Sequence, residues 1–312
     1  MARIALVTGG CGFIASNFIN QLEGFDIILN IDKMSYCSNI HNITRPECHT
    51  IEGDICKVST VTNIFSMYPI SVVFHFAAQS HVDNSFDDPI SFTTNNVIGT
   101  HVLIETCRKL APNVEFIHFS TDEVYGENTG TVGFTELTAL CPTNPYAASK
   151  AASDMIIQSY IKSFNMNIKI IRCNNVYGPN QYPEKLIPKC IKLLKEGHKC
   201  TVHGQGTVKR SFIHVKDVCS AVNTIWKRGT SGEIYNISSD YEYSVIEIVK
   251  LVINCIYDTD HYEPFIEYIS DRPFNDSSYL NDCTKLKSIG WTQSCTHADL
   301  LEFIKELGTL YY

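Results

Sequence analysis

Tyr146-Ala147-Ala148-Ser149-Lys150 sets a phenol and an ammonium one helical turn apart on the same face. At about 5 Å and an effective dielectric near 20, the cation favours phenolate by roughly 3 kcal/mol, about two pKa units. A tyrosine brought toward neutrality in this way can remove a hydroxyl proton. The same spacing occurs on ordinary amphipathic helices. This copy stands out because it follows a strand end at Ser120, on the side where open α/β sheets bind ligands. That strand, Phe116-Ile117-His118-Phe119-Ser120, continues into Thr121-Asp122-Glu123-Val124-Tyr125-Gly126. Adjacent acids are common in solvated turns, but here repulsion and unequal burial can hold one protonated and the other ionised. Oxidising a hydroxyl needs only the tyrosine and a dinucleotide, so the acids imply a second chemical step.

A dinucleotide site is written near the start of the chain. The apolar run Ile4-Ala5-Leu6-Val7-Thr8 leads into Gly9-Gly10-Cys11-Gly12-Phe13-Ile14-Ala15, which opens a helix. Residues without side chains let the backbone turn sharply against a pyrophosphate, whose charge is met by the amides at the helix N-terminus. Asp32 follows Gly12 by twenty residues and closes a second strand, where a carboxylate accepts from an adenosine ribose and favours NAD over NADP; Lys33 beside it weakens that preference slightly. Asp54, in Gly53-Asp54-Ile55, reads either as a contact to the adenine amine or as a surface acid. Phe76-Ala77-Ala78-Gln79 ends another strand in small residues that let a dinucleotide lie close to the backbone.

The elements that must position these groups alternate. Strands are expected at 4–8, 26–31, 72–76, 115–120 and 168–173, with a further one just before Gly53 and helices at 97–110 and 147–164. Nearly all-apolar strands alternating with amphipathic stretches predict a doubly wound, parallel α/β Rossmann sheet with right-handed crossovers. Beyond Asn174 the pattern becomes proline-rich and mixed, with helices at 184–196, 215–227, 245–257 and 297–307. The expected division is an NAD-binding domain over 1–173 and about 208–232. A smaller mixed α/β substrate domain takes about 174–207 and 233–312. A cleft lies between them.

Composition narrows the function classes. A net charge of −8 argues against general affinity for nucleic acid or anionic membrane, so an anionic ligand must be held by a few placed cations and backbone amides. Thirteen cysteines without C-x-x-C spacing, in a chain with no signal-peptide pattern, read as reduced and mostly buried. The expected setting is cytoplasmic, and the three glycosylation sequons at Asn42, Asn236 and Asn275 then arise by chance. His75 and His118, within apolar strands, read as satisfied core residues. No grouping has metal-ligand spacing, and no metal is expected.

These motifs carry a resemblance. Thr8–Ser16, Ala77-Ala78-Gln79-Ser80-His81-Val82-Asp83, Ser120–Gly126, Pro145–Lys150, Arg172–Gln181, Pro183–Pro188 and Asp271-Arg272-Pro273 together resemble the nucleotide-sugar branch of the extended short-chain dehydrogenase/reductases. The closest likeness is to the dTDP-glucose 4,6-dehydratases. Thr121-Asp122-Glu123 discriminates: 4-epimerases of the family lack the acid pair, and UDP-glucuronate decarboxylases typically carry serine at the place of Asp122. The resemblance implies a catalytic set of Thr121, Asp122, Glu123, Tyr146 and Lys150. Tyr146, helped by Lys150 and Thr121, deprotonates the carbon-4 hydroxyl; Glu123 takes the carbon-5 proton; Asp122 protonates the departing carbon-6 hydroxyl. It implies NAD held by Gly9, Gly12, Phe13, Ile14, Asp32, Lys33, Asp54, Ile55, Ala77, Ala78 and Asn96, together with Tyr146 and Lys150. It further implies a nucleoside-diphosphate hexose held by Ser85, Asn175, Lys185, Leu186, Arg210, Asn236 and Arg272. A homodimer formed through a four-helix bundle of the helices at 97–110 and 147–164 is also implied.

The sequence departs from the family pattern at Ala15, where a third glycine is usual, at Gln79, where many relatives carry glutamate, and, near the nucleotide end, at Phe274, Asn275 and Ser277. The rival expectations are a UDP-glucuronate decarboxylase, a UDP-sugar 4-epimerase or a non-catalytic NAD-sensing protein on the same scaffold.

Overall fold

A computed structural model describes residues 2–270 and 278–310. The expected phosphate ligand Arg272 and the departures at Phe274, Asn275 and Ser277 lie outside the described residues.

The first part of the chain runs β1 (Ile4–Thr8), α1 (Phe13–Gln21), β2 (Ile27–Asp32), β3 (Cys48–Glu52), α2 (Val58–Met67) and β4 (Ile70–His75). Then come the short α3 (Val82–Asp87) and α4 (Pro89–Phe92), a wide π-type turn over Thr93–Ile98, and α5 (Gly99–Leu110). β5 (Glu115–Thr121), α6 (Pro145–Phe164) and β6 (Ile168–Cys173) follow. The remainder comprises β7 (Asn175–Tyr177), α7 (Leu186–Lys195), β8 (Cys200–His203), β9 (Lys209–His214), α8 (Val215–Arg228), β10 (Ile234–Ile237), β11 (Glu242–Ser244), α9 (Val245–Tyr257), β12 (Ile266–Ile269), α10 (Thr284–Ser288) and α11 (His297–Leu310).

Seven parallel strands form the main sheet in the order β10-β6-β5-β4-β1-β2-β3. Every residue of β1 and β6 is buried, as strands covered on both faces require. Apolar clusters fill each face, one around Phe18, Phe74, Trp226 and Trp291, the other around Leu6, Leu103, Phe116 and Ile157. This is the expected doubly wound fold. The strand order reverses between β1 and β4, where such sheets hold ligands beyond the strand carboxyl ends. A second region has its own core around Ile191, Val249 and Phe303 and carries two small sheets, β11-β9-β7 and β12-β8.

The expected division of the chain needs three corrections. β10 joins the main sheet beside β6, pairing Ile234 with Ile170, because Gly232 at φ +85° turns the chain back along that strand. β9, placed by sequence with the NAD domain, instead pairs with β7 and β11 in the smaller region. Cys283, Leu286 and Trp291 return to the main core although they follow most of the substrate region. α8 packs against the main sheet as expected, through Val218, Val222 and Ile225.

His75 is a satisfied core residue, with Nδ1 and Nε2 each 2.8 Å from the hydroxyls of Thr8 and Thr100. His118, fully buried, has Nε2 3.2 Å from Asp154 Oδ1. All thirteen cysteines are free.

Candidate active site

The dinucleotide turn is built by geometry that only glycine accommodates. Gly9 sits at φ +70°, and a Cβ there would lie 2.8 Å from the Cα of Ala77. Its N–H donates to Ile31 O at 2.8 Å, and Gly12 caps α1 with no side chain on the first-turn amides, leaving them turned toward the cleft for an anion. Asp32, at the end of β2, is nearly buried: Oδ2 accepts from Cys11 N at 3.0 Å, and Oδ1 from Met34 N and Ser38 Oγ at 2.9 and 2.8 Å. Oδ2, with a single donor, retains accepting capacity for a ribose hydroxyl. Thr8 Oγ1 accepts from Ala77 N at 3.1 Å and so ties the two walls of the turn together. These residues fit a dinucleotide with a 2′-hydroxyl.

Catalytic groups converge from β5 and α6. α6 starts sharply because Asn144 Oδ1 accepts from Ala147 N at 2.8 Å and Pro145 occupies its first turn. Tyr146 and Lys150 then share one face, both nearly buried. β5 ends in a single 3-10 turn over Asp122–Tyr125, in which Thr121 Oγ1 accepts from Glu123 N at 3.3 Å. Gly126, at φ +81°, turns the chain away where any Cβ would meet Cys141 O. Thr121 Oγ1 donates to Asp122 Oδ1 at 3.1 Å, Asn174 Nδ2 to Asp122 Oδ2 at 2.6 Å, and Asn144 Nδ2 to Glu123 Oε2 at 3.0 Å. The two carboxyl groups are unequally placed. Asp122 is buried and pushed up to about 8, first by burial and then by the charge of Glu123, while Glu123 is half-exposed. One acid is thus poised to give a proton beside one that can take one.

The expected electrostatic coupling of Lys150 to Tyr146 is not what the structure shows. Lys150 Nζ donates to Phe119 O at 2.8 Å and is pushed down to about 8 by burial. The Tyr146 phenol is raised, chiefly by burial and then by the charge of Glu123; the hydroxyl of Thr121 is the group that lowers it. Desolvation outweighs the helical spacing because Tyr146 lies in the cleft wall and the ammonium is drawn to a backbone carbonyl.

One cleft of about 480 Å³ runs between the main sheet and the smaller region. It brings together the five expected catalytic residues; Gly9, Gly12, Phe13, Ile14, Asp32 and Lys33; Asp54, Ile55, Ala77 and Ala78; and Asn175, Lys185, Leu186 and Arg210. The Arg210 guanidinium lies 4.5 Å from the centre of the Tyr279 ring, and Lys185 Nζ donates to Ser80 O at 3.0 Å across the cleft. Three expected ligands stand behind the wall. Asn236 is fully buried in β10, its amide spent on Tyr125, Phe134 and Asp282, and it holds the fold. Ser85 is fully buried and donates to Val82 O at 2.6 Å. Asn96, also buried, accepts from Gln79 N at 2.8 Å and donates to Gln79 O at 3.0 Å, shaping the loop that lines the cleft. Reading by motif passed over Asn144 and Asn174. Asn144 is visible as a cap before proline, whereas Asn174, though inside the Arg172–Gln181 motif, carries no local signal of a role.

The seven-stranded fold, the glycine turn and the Tyr146–Lys150 helix define an extended short-chain dehydrogenase/reductase. A model of the family described as GDP-mannose 4,6 dehydratase matches residues 6–304. The chain belongs to that family. The dTDP-D-glucose 4,6-dehydratase of Mus musculus is 43% identical over 300 residues, covering 93% of this chain and 84% of the relative. A trifunctional UDP-glucose 4,6-dehydratase/UDP-4-keto-6-deoxy-D-glucose 3,5-epimerase/UDP-4-keto-L-rhamnose-reductase of Arabidopsis thaliana is 41% identical over 301 residues, 93% of this chain and 44% of that protein. A crystal structure of dTDP-glucose 4,6-dehydratase from Streptomyces venezuelae with NAD and TYD bound superposes with a TM-score of 0.91 at 32% identity, covering 97% of this chain and 96% of that one.

Proposed function

We propose that this chain is an NAD-dependent hydro-lyase that converts dTDP-glucose or UDP-glucose to the 4-keto-6-deoxy sugar nucleotide. The observation that carries the reading is the unequal acid pair: Asp122, buried and held near 8, beside half-exposed Glu123, in one cleft with Tyr146. Bound along the Gly9–Gly12 turn, NAD supplies a positive charge and accepts a hydride from carbon 4 that is later returned to carbon 6. Tyr146, as the phenolate that the positive charge of bound NAD and the Thr121 hydroxyl favour against its burial, removes the proton of the carbon-4 hydroxyl. The ketone acidifies carbon 5, and Glu123, steadied by Asn144, takes that proton. Asp122 gives its proton to the carbon-6 hydroxyl, which leaves as water. Glu123 then returns a proton to carbon 5. Arg210 and Asn175, together with the chain around Lys185 and Leu186, form the part of the cleft suited to the diphosphate and base.

Incubation with NAD and dTDP-glucose, UDP-glucose or UDP-glucuronate, followed by mass spectrometry, tests the proposal. Loss of one water from a glucose nucleotide, with deuterium from carbon 4 recovered at carbon 6, is expected. Loss of carbon dioxide from the glucuronate, or an unchanged mass in every arm, overturns it.

The working unit we infer is a cytoplasmic homodimer that buries α5 and α6 in a four-helix bundle. Exposed Ile98, at the start of α5, and Met155 on α6 are apolar residues available to it. No helix among the described residues is long and apolar enough to cross a membrane. A sedimentation coefficient of a monomer at all concentrations would exclude the dimer.

A further inference from the structure

Asn174 closes the far side of the catalytic acid. It follows β6 directly, is only 4% exposed, and lines the cleft. Its Nδ2 donates to Asp122 Oδ2 at 2.6 Å and to Tyr279 O at 3.0 Å, its Oδ1 accepts from Asn281 Nδ2 at 3.5 Å, and its backbone N–H donates to Ile237 O at 3.0 Å. The amide is therefore held in place by β10 and by the segment after residue 278, as well as by the acid. On the opposite side, Asp122 Oδ1 receives Thr121 Oγ1 at 3.1 Å. An amide N–H can only donate, whereas a hydroxyl can turn and either donate or accept. In a protonated carboxyl the carbonyl oxygen is the better acceptor. A fixed N–H on Oδ2 therefore leaves Oδ1, the oxygen on the Thr121 side, to carry the proton.

We propose that Asn174 is a positioning residue that fixes the acid proton of Asp122 on Oδ1 and so sets the direction from which the departing hydroxyl is protonated. The proposal rests on the dehydratase reading and deepens it. In one turnover Tyr146 gains the carbon-4 hydroxyl proton, Glu123 gains and returns the carbon-5 proton, and Asp122 gives a proton to the carbon-6 hydroxyl, which departs with the electron pair of its carbon–oxygen bond. The hydride is borrowed and returned. Tyr146 ends the turnover one proton richer and Asp122 one poorer, so Asp122 must be recharged before the next. With Oδ2 closed by Asn174, recharging is confined to Oδ1, beside the Thr121 hydroxyl. The charged and titratable groups around Asp122 are Glu123 in its own turn, Tyr146 from α6, Cys173 from β6 and Arg210 from β9; Asn174 works alongside them without a charge of its own.

The test compares Asn174→Ala with Asn174→Ser, which keeps a donor. Two quantities are read: kcat and KM across pH, and the titration of the Asp122 carboxyl by infrared difference spectroscopy, with Asp122→Asn identifying the band. Asn174→Ala should lose about tenfold in kcat, the size of one strong hydrogen bond, with KM within about twofold. Its Asp122 titration and the alkaline limb of kcat should move up by about one pH unit, because a donor that favours the carboxylate has gone. Asn174→Ser should recover most of both. An unshifted carboxyl band in folded Asn174→Ala overturns the proposal, as does a raised KM with unchanged kcat. Equal loss in both variants with an unmoved alkaline limb also overturns it and assigns Asn174 to the fold alone. A wild type that dehydrates no sugar nucleotide would sink the dehydratase reading, while the infrared titration would still decide whether Asn174 governs Asp122.

Discussion

Raising the pH above 8 should disable the site. Asp122 must carry a proton to expel water, and burial with the charge of Glu123 places its loss at about 8. The working form prevails below that pH and declines above it, so kcat should fall by about tenfold per pH unit once the proton is lost. At pH 9 the acid retains roughly a tenth of its working form, so about 10% of the low-pH rate remains. Quenched-flow mass spectrometry with saturating glucose nucleotide, from pH 6 to pH 9.5, measures this. Loss of the acid leaves a 4-keto hexose that still holds its carbon-6 hydroxyl. A rate that stays level to pH 9.5, or a decline without that intermediate, would refute the assignment of Asp122.

Three further outcomes follow from the same structure. Asp122→Asn should stabilise the fold at pH 7 while abolishing turnover. The folded carboxyl, at about 8, keeps a proton that the unfolded chain sheds near its ordinary 3.8, so stability is greatest below about pH 4 and declines as pH rises toward 8. The gain should be about 4 kcal/mol at pH 7 and nearly absent at pH 4, read from urea midpoints. Gly9→Ala places a methyl 2.8 Å from the Cα of Ala77 at φ +70° and should cost at least 1–2 kcal/mol of NAD binding, about tenfold or more by titration calorimetry. Asp154→Asn strips the counter-charge from buried Arg172, 2.9 Å away, and should destabilise the chain by about 3–5 kcal/mol in urea unfolding; replacing both by apolar residues should cost much less.

The parts of the fold that sequence revealed are those governed by local pattern. The largely apolar β1 and the glycine turn before α1 announce themselves because burial on both faces and a positive φ each demand particular residue types. The return of β10 to the main sheet was hidden, since Ile234–Ile237 is too short to show which of two cores it joins and only Gly232 redirects it. Motif matching brought nineteen expected residues to one cleft but could not tell a residue in the wall from one behind it. Ser85, Asn96 and Asn236 carry the right chemistry and stand one layer too deep, where neighbouring backbone groups occupy their hydrogen bonds. The pull of the Phe119 carbonyl on Lys150 was equally out of reach, because helical spacing says how close two side chains start and nothing about a third partner on another strand.

The buried trio of Asp154, Arg172 and His118 constrains how this chain can diverge. Its members come from α6, β6 and β5, the elements that carry the reacting groups, and none has access to water. A change at either ionic position strands a charge in the interior, so evolutionary drift there must proceed by paired replacements and will be rare. Positions on the rim such as Asn175, exposed and unconstrained by burial, face no such barrier. New sugar specificities should therefore arise by exchange at the rim, over a catalytic frame that stays fixed.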